Sequence, residues 1–223
     1  MPRFAIVTGA NAPSLGFRAA QLLAGEPHRF RVVLACRSES RGRAAQREIE
    51  AADPGAWVRF MKCDLASLAS VRAFAQDLRS IEGGAVQAAG LSLLVANAGV
   101  GFGRDRERRL TDDGFELRLG VNHLGHFLLV NLLLPELRAA PSARVVVVSS
   151  ELHAKNVAGE SSLLDLDDLQ LEKPGAYEVC GKAQLTSTTP HSPEPSVFTV
   201  SLQSMGHGLY SETRAVTGML SML

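Results

Sequence analysis

FAIVTGANAPSLGFRAAQLL, residues 4–23, is the stretch that decides the fold, because it joins a strand pattern to a helix pattern through a glycine-containing turn. Its first four residues are typical of a buried strand, and the spacing predicts a helix from Phe17 to Leu23. A glycine turn at a helix N-terminus lets backbone N–H groups and the helix dipole face a pyrophosphate. The same pattern also fits an ordinary strand–helix turn, so alone it does not establish a nucleotide site.

Further strand-like runs alternate with helical patterns along the rest of the chain. They occupy residues 31–35, 57–61, 91–96, 144–148 and 196–200. Such alternation predicts βαβ units and a parallel sheet, hence an α/β fold. Between the third and fourth runs, apolar residues at helical spacing from Leu68 to Leu78 follow Ser67, a plausible N-cap. A second long helix is predicted from about Asp113 through Leu134.

Composition narrows the possible partners. Twenty-three basic and 23 acidic side chains balance, which argues against a nucleic-acid groove or an anionic membrane surface. The three cysteines, Cys36, Cys63 and Cys180, form no metal-binding motif and suggest a reduced setting.

No transmembrane segment is predicted, because the apolar stretch at 127–134 is shorter than the roughly 20 residues that a span needs. A first strand beginning at Phe4 leaves no room for a cleavable leader, so we expect a cytoplasmic protein with a small-molecule partner and no metal.

The glycine-containing turn is followed by several further motifs along the chain, and their order is more specific than any one motif alone. Taken together, the chain resembles the short-chain dehydrogenase/reductase family, in particular its retinol-dehydrogenase-like and protochlorophyllide-reductase-like branch. The resemblance is carried by TGANAPSLG at 8–16, LACRS at 34–38, CDLASLASVRAF at 63–74, ANAGV at 96–100, DGFELRLGVNHLGHFLLVNLLL at 113–134 and RVVVVSS at 144–150. It implies a Rossmann-type, doubly wound parallel sheet in one domain, residues 1–223, with 1–150 well matched and 151–223 irregular.

The resemblance also implies a set of cofactor-binding residues. Gly9, Ser14, Leu15 and Gly16 would form the turn beneath the phosphates, although Ser14 stands where the family pattern has its middle glycine. That glycine lets the backbone approach the pyrophosphate, so phosphate binding is expected to be weakened or rearranged. The adenine would lie beside Asp64 and Leu65, and the floor of the pocket would be formed by Asn97, Ala98 and Gly99.

Cofactor choice depends on the end of the second strand, where an acidic residue would bind a ribose 2′-hydroxyl and repel a 2′-phosphate. Cys36 occupies this position and Arg37 follows it. A guanidinium there can make charge-assisted contacts with the 2′-phosphate. NADP(H) is therefore the predicted cofactor, although a lone arginine after a strand is also commonly a solvated surface residue.

The family's catalytic set is implied at four positions. Ser150 would orient the substrate oxygen, with Ser149 a weaker candidate because strand alternation points it the other way. Asn122 would support a proton-relay water, and Tyr177 would act as acid/base with Lys182 as its partner. A free tyrosine has a pKa of about 10, and a nearby ammonium favours its phenolate.

Tyr177 and Lys182 depart from the family pattern. They are five residues apart, about 140° around a regular helix, whereas the family's four-residue spacing is about 40°. A π-bulge could restore the pairing, and Gly181 could accommodate it. The chain is also expected to lack the last strand and the substrate-covering helices. Pro190 shortens the helix that often forms a dimer interface in the family, so a homodimer is left open.

Three functions remain in consideration. The leading hypothesis is an NADP(H)-dependent oxidoreductase that acts on a carbonyl or alcohol of a hydrophobic small molecule. The alternative is a non-catalytic NADP(H)-binding or interaction protein without a productive Tyr177–Lys182 pair. A serine hydrolase using Ser150 with His153 is disfavoured, because the sequence has neither a GxSxG elbow there nor an evident acid partner.

Overall fold

The structure is a computed structural model that describes residues 2–101, 107–150, 167–174 and 196–202. For Ser150 and residues 196–202 it describes the backbone only. Its strands form one parallel sheet in the order β3-β2-β1-β4-β5-β6. The strands are β1 (Phe4–Thr8), β2 (Arg31–Cys36), β3 (Val58–Lys62), β4 (Leu91–Ala96), β5 (Arg144–Ser150) and β6 (Ser196–Leu202). The predicted α/β fold with a doubly wound parallel sheet is confirmed.

Helices cover both faces of the sheet. They are α1 (Leu15–Ala24), α2 (Glu39–Ala52), α3 (Leu68–Ser80), α4 (Ala85–Ala89), α5 (Gly125–Leu132) and α6 (Leu134–Ala139), with a 3₁₀ turn at Ile81–Gly83 and a π-helical segment at Leu119–Leu124. One core, against α1 and α2, includes Phe17 and Ile49. The other, against α3, α5 and α6, includes Phe74 and Leu129. Burial on both faces explains why the central strands are apolar runs rather than alternating patterns.

The predicted helix boundaries needed correction at several points. Helix α1 begins at Leu15 rather than Phe17, because Ser14 caps it. Ser67 caps α3 as predicted, and its side chain accepts a hydrogen bond from the Ser70 N–H. The long helix predicted from Asp113 does not begin there, since residues 112–115 form a turn and a bend.

Beyond that turn, the predicted long helix divides into three parts. The π-helical segment continues into α5, the chain breaks at Leu133, and α6 then starts at Leu134. Pro135 lies in the first turn of α6, where a missing N–H costs no helical hydrogen bond. The proline therefore marks a helix start rather than the end that the sequence suggested.

The strand order reverses between β1 and β4. Strand β1 leads through α1 to β2 on one side, whereas β4 pairs with its other side. A crevice opens at such a switch point, at the carboxyl ends of the strands, and ligands of open α/β sheets bind there. Among the described helices, none is long and apolar enough to span a membrane.

Candidate functional site

The turn after β1 is packed tightly against the segment after β4. Gly9 has a φ of +67°, and a Cβ there would lie 2.9 Å from the Cα of Ala98. A Cβ on Gly16, at the start of α1, would lie 2.4 Å from Nδ2 of Asn97. Neither position has room for a side chain, because Asn97 and Ala98 approach the backbone of the turn too closely. Asn97 and Ala98 thus form the wall against which the turn packs.

Ser14 replaces the expected middle glycine and organises the N-terminus of α1. Its hydroxyl donates to the carbonyl of Gly9 and accepts from the N–H of Phe17, each at 3.1 Å. The N–H groups of Leu15 and Gly16 have no acceptor among the described residues. Two unsatisfied donors at the positive end of a ten-residue helix form a suitable site for a phosphate.

The end of β2 provides the positive side of the crevice. Cys36 is buried, and burial raises the pKa of its thiol to about 11, although a backbone hydrogen bond from Ala10 and the charge of Arg41 oppose the shift. The thiol is therefore neutral near pH 7. Arg37 and Arg41 are exposed, and neither forms an ion pair with a carboxylate among the described residues. Ser38 caps α2 between them and accepts from the N–H of Arg41.

Asp64 and Leu65 lie beyond β3, on the same edge of the sheet. The Asp64 carboxylate accepts a hydrogen bond from the Ala66 N–H at 3.0 Å, which fixes this loop in a tight turn. Leu65 is buried, and a Cβ on Gly125 would lie 2.6 Å from its carbonyl oxygen. Cys63, just before them, is also buried, and burial raises the pKa of its thiol to about 12.

These segments enclose a cavity of about 470 Å³ at the switch point, within the size range of small-molecule sites. Nine of the ten predicted cofactor-binding residues contribute to its wall: Gly9, Ser14, Leu15, Arg37, Asp64, Leu65, Asn97, Ala98 and Gly99. The tenth, Gly16, lies behind the wall against Asn97. The structure thus brings together residues from four segments of the chain.

Asn122 lies in the π-helical segment, next to this wall. Its Oδ1 accepts from the Val100 N–H at 2.8 Å, and its Nδ2 donates to the Val100 carbonyl at 3.1 Å. The side chain therefore holds the segment after β4, and the backbone of Asn122 is the part best suited to support a relay water. Its participation in proton transfer stays a prediction.

The remaining catalytic candidates are only partly visible. The backbone of Ser150 pairs with Leu202 at the end of β5, and Val148, two residues earlier, lines the cavity. Ser149 is buried, 6% exposed, and is not part of the cavity wall. Tyr177 and Lys182 lie outside the described residues, as do His153, Gly181 and Pro190. Their proposed roles stay predictions.

Sequence reasoning missed three features of this site. Arg41 contributes to the cavity wall together with Arg37, because it lies in the first turn of α2. The hydroxyl of Thr8 accepts from the N–H groups of Asn97 and Ala98, both at 2.9 Å. His126 contacts that hydroxyl from α5. The i+4 spacing of two arginines was a usable signal for Arg41, whereas nothing local indicated the other two.

Comparisons with known proteins agree with this architecture. A family model described as short chain dehydrogenase matches residues 3–162. Dehydrogenase/reductase SDR family member 13 of Homo sapiens is 47% identical over 154 residues, 69% of this chain and 37% of that protein. Retinol dehydrogenase 11 of Mus musculus is 42% identical over 164 residues, 71% of this chain and 48% of that protein. The chain spans less than half the length of these two curated relatives.

A solved structure provides the likeness in fold. The alcohol dehydrogenase of the archaeon Thermococcus sibiricus, determined with 5-hydroxy-NADP, superposes with a TM-score of 0.67 at 20% identity. The match covers 100% of this chain and 92% of that one. At this level of identity it supports the fold alone.

Proposed function

The chain belongs to the short-chain dehydrogenase family, and from this membership and its cavity we propose that it is an NADP(H)-dependent oxidoreductase. The predicted family resemblance is confirmed, and the relatives described above are named dehydrogenases or reductases. The substrate class that we propose is a carbonyl or alcohol of a hydrophobic small molecule. The observation that carries the proposal is the cavity at the switch point, where nine predicted cofactor-binding residues meet.

The residues present fit a dinucleotide. The free N–H groups of Leu15 and Gly16 suit the pyrophosphate, and the close approach at Gly9 keeps the turn clear of side-chain atoms. Asp64 and Leu65 would lie beside the adenine. When bound, the nicotinamide would supply hydride for carbonyl reduction and accept it in alcohol oxidation.

Arg37 and Arg41 support the choice of NADP(H) over NAD(H). Two guanidinium groups on the cavity wall, with a neutral thiol in place of a carboxylate, favour a dianionic 2′-phosphate. Preference for NADP(H) is thus proposed on local electrostatics.

The chemical roles of the protein side chains follow the family pattern. In the reductive direction, Ser150 holds the carbonyl oxygen by a hydrogen bond, and Tyr177 gives that oxygen a proton as the carbonyl carbon is reduced. Lys182 favours the resulting phenolate and, with the Asn122 backbone, returns a proton to it through water. These roles are proposals for each of the four residues.

The test is a fluorescence titration with NADPH and with NADH on the unchanged chain and on Arg37→Ala, Arg41→Ala and Arg47→Ala. Arg47 is an exposed arginine on α2, the helix that also carries Arg41, but it does not line the cavity, and it serves as the matched control. We expect each of the first two substitutions to weaken NADPH binding about 10- to 100-fold, the range for a lost charge-assisted contact. NADH binding and the Arg47→Ala variant should change less than about twofold.

Two outcomes distinguish the candidate functions. NADPH binding with carbonyl reductase activity that disappears in Tyr177→Phe supports the enzyme. Specific NADPH binding without turnover of any hydrophobic aldehyde or ketone would favour the non-catalytic binding protein instead. Equal affinity for NADPH and NADH, unchanged in Arg37→Ala and Arg41→Ala, would refute the cofactor assignment.

A further inference from the structure

His126 is a buried imidazole, 4% exposed, placed between two segments of the proposed site. Its Nε2 lies 2.9 Å from the Thr8 hydroxyl at the end of β1. Its Nδ1 lies 3.2 Å from the backbone carbonyl oxygen of Asn122 in the π-helical segment. One side chain therefore joins the nucleotide-side turn to the segment that carries the predicted relay residue.

The hydrogen-bonding groups determine the tautomer. A backbone carbonyl only accepts, so Nδ1 of His126 must carry the hydrogen. Burial lowers the pKa of His126 to about 4, and the imidazole is neutral at pH 7. In a neutral ring with a protonated Nδ1, the Nε2 nitrogen has a lone pair and accepts.

The Thr8 hydroxyl completes the chain of hydrogen bonds. It accepts the N–H groups of Asn97 and Ala98, which occupy both of its lone pairs. Its single proton then has two possible acceptors, Nε2 of His126 at 2.9 Å and the Val95 carbonyl at 3.4 Å. The shorter contact is the stronger one, so His126 determines the rotation of this hydroxyl.

We propose that His126 is a positioning residue that fixes the Thr8 hydroxyl and thereby holds Asn97 and Ala98 in place as the wall of the nucleotide cavity. Because Gly9 and Gly16 rest directly on Asn97 and Ala98, a shift of this wall would displace the phosphate-binding turn. The positioning itself depends only on the described contacts. Its consequence for cofactor binding rests on the proposed function.

A purely structural role is the competing explanation. A buried histidine that merely fills space would, when replaced, lower the stability of the whole fold without a selective effect at Asn97 and Ala98. Amide hydrogen exchange separates the two explanations, because it reports local and global opening residue by residue.

The experiment measures exchange in the unliganded protein and in His126→Phe, which keeps an aromatic ring at this site and removes both hydrogen bonds. Val33 and Leu34, fully buried in the interior strand β2, report global opening. We expect exchange at Asn97 and Ala98 to increase at least about tenfold more than at Val33 and Leu34. The matched control is His123→Gln, in the π-helical segment but outside the hydrogen-bond chain, and should give no such selective increase.

A double-mutant cycle gives a second measure with the cofactor. His126→Phe should raise the dissociation constant for NADPH about fivefold or more, and Thr8→Val should do the same. Both substitutions act through one hydroxyl. The dissociation constant of the double variant for NADPH should therefore be no more than about twofold higher than that of the single variant with the lower affinity. His126→Gln, whose Oε1 can accept from the Thr8 hydroxyl, is the rescue variant and should keep exchange at Asn97 and Ala98 close to that of the unchanged protein. If His126→Phe fails to fold, Thr8→Val, which removes the hydroxyl, takes its place and should give the same selective increase in exchange.

The outcomes are separable. Increases at Asn97 and Ala98 that only parallel those at Val33 and Leu34 would overturn the positioning role, as would fully additive effects in the cycle. Failure of the unchanged protein to bind NADPH would refute the proposed function, and the exchange comparison would still decide the role of His126.

Discussion

Cys36 is buried directly next to the cavity wall, between the lining residues Ala35 and Arg37. It ends β2, where a carboxylate would discriminate against a 2′-phosphate, and its buried thiol is uncharged because its pKa is raised to about 11. The positive charge of Arg37 and Arg41 is thus not offset at this point. Under the proposed preference for NADP(H), selectivity for the 2′-phosphate would arise as much from the missing negative charge as from the two cations.

Cys36→Asp should therefore reverse cofactor preference. A carboxylate at this position repels the 2′-phosphate and can accept from a ribose hydroxyl, so NADPH binding should weaken about tenfold or more while NADH binding holds or improves. Fluorescence titration with both cofactors measures the change. Cys36→Asn, similar in size but uncharged, is the control and should retain the preference for NADPH. The same loss in both variants would point to a packing defect.

At the scale of elements, the helix after β4 shows how packing divides a continuous pattern. Its apolar residues repeat at helical spacing from Phe115 to Leu128, yet residues 119–124 are π-helical. Gly125 then lies against the carbonyl of Leu65, and Asn122 is paired with Val100. These contacts determine where the wider turn lies, since i→i+5 and i→i+4 bonding leave nearly the same apolar pattern.

A second inter-element contact joins α3 to α6. Arg79 donates to the Glu136 carboxylate at 2.6 Å and to the Leu132 carbonyl at 2.7 Å, while Glu136 is only 4% exposed. Arg79→Ala leaves a buried carboxylate without its cation and should lower the free energy of unfolding by about 3 kcal/mol, the low end of the range for a broken buried pair, because Arg79 itself is 32% exposed. Urea denaturation measures this loss.

The control for that prediction is Arg79→Ala combined with Glu136→Gln, which removes the uncompensated charge. The double variant should be more stable than Arg79→Ala alone, because a neutral amide is less costly to bury than a carboxylate. A double variant less stable than Arg79→Ala would contradict the ion-pair explanation.

At the scale of the whole molecule, the sheet joins two cores whose stability depends on groups buried as neutral species. His126 is the clearest case, because its pKa falls from 6.5 to about 4 through burial and, to a smaller extent, the nearby His123. As the pH falls, His126 is protonated near pH 6.5 in the unfolded chain but only near pH 4 in the folded chain. The folded state therefore loses stability as the pH falls through this interval.

This gives a prediction for the pH dependence of folding. Between pH 7.5 and 4.5 the free energy of unfolding should fall by about 2–3 kcal/mol through His126 alone. Urea denaturation at the two pH values, compared with the same measurement on His126→Gln, isolates this contribution from that of the carboxylates. An identical pH dependence in the two proteins would exclude His126 as its source.

Much of the fold could be predicted from the sequence. The six strand runs, the Ser67 cap and the glycine turn from Gly9 to Gly16 are all local signals, because they depend on residues within a few positions of each other. Motif order then placed Arg37, Asp64, Leu65 and Asn97 at one edge of the sheet, where the structure has them. The boundaries of the long helix were wrong, because a turn at Gly114 and a break at Leu133 depend on packing.

What the sequence by itself determined is therefore the class of fold, the order of its elements and most of the residues that line the cavity at the switch point. Only the tertiary structure decided how those residues are held. The contact between Thr8 and His126 spans 118 positions, and that between Thr8 and Asn97 spans 89. Such hydrogen bonds have no local pattern, because each requires two distant segments to be packed together before donor and acceptor can meet.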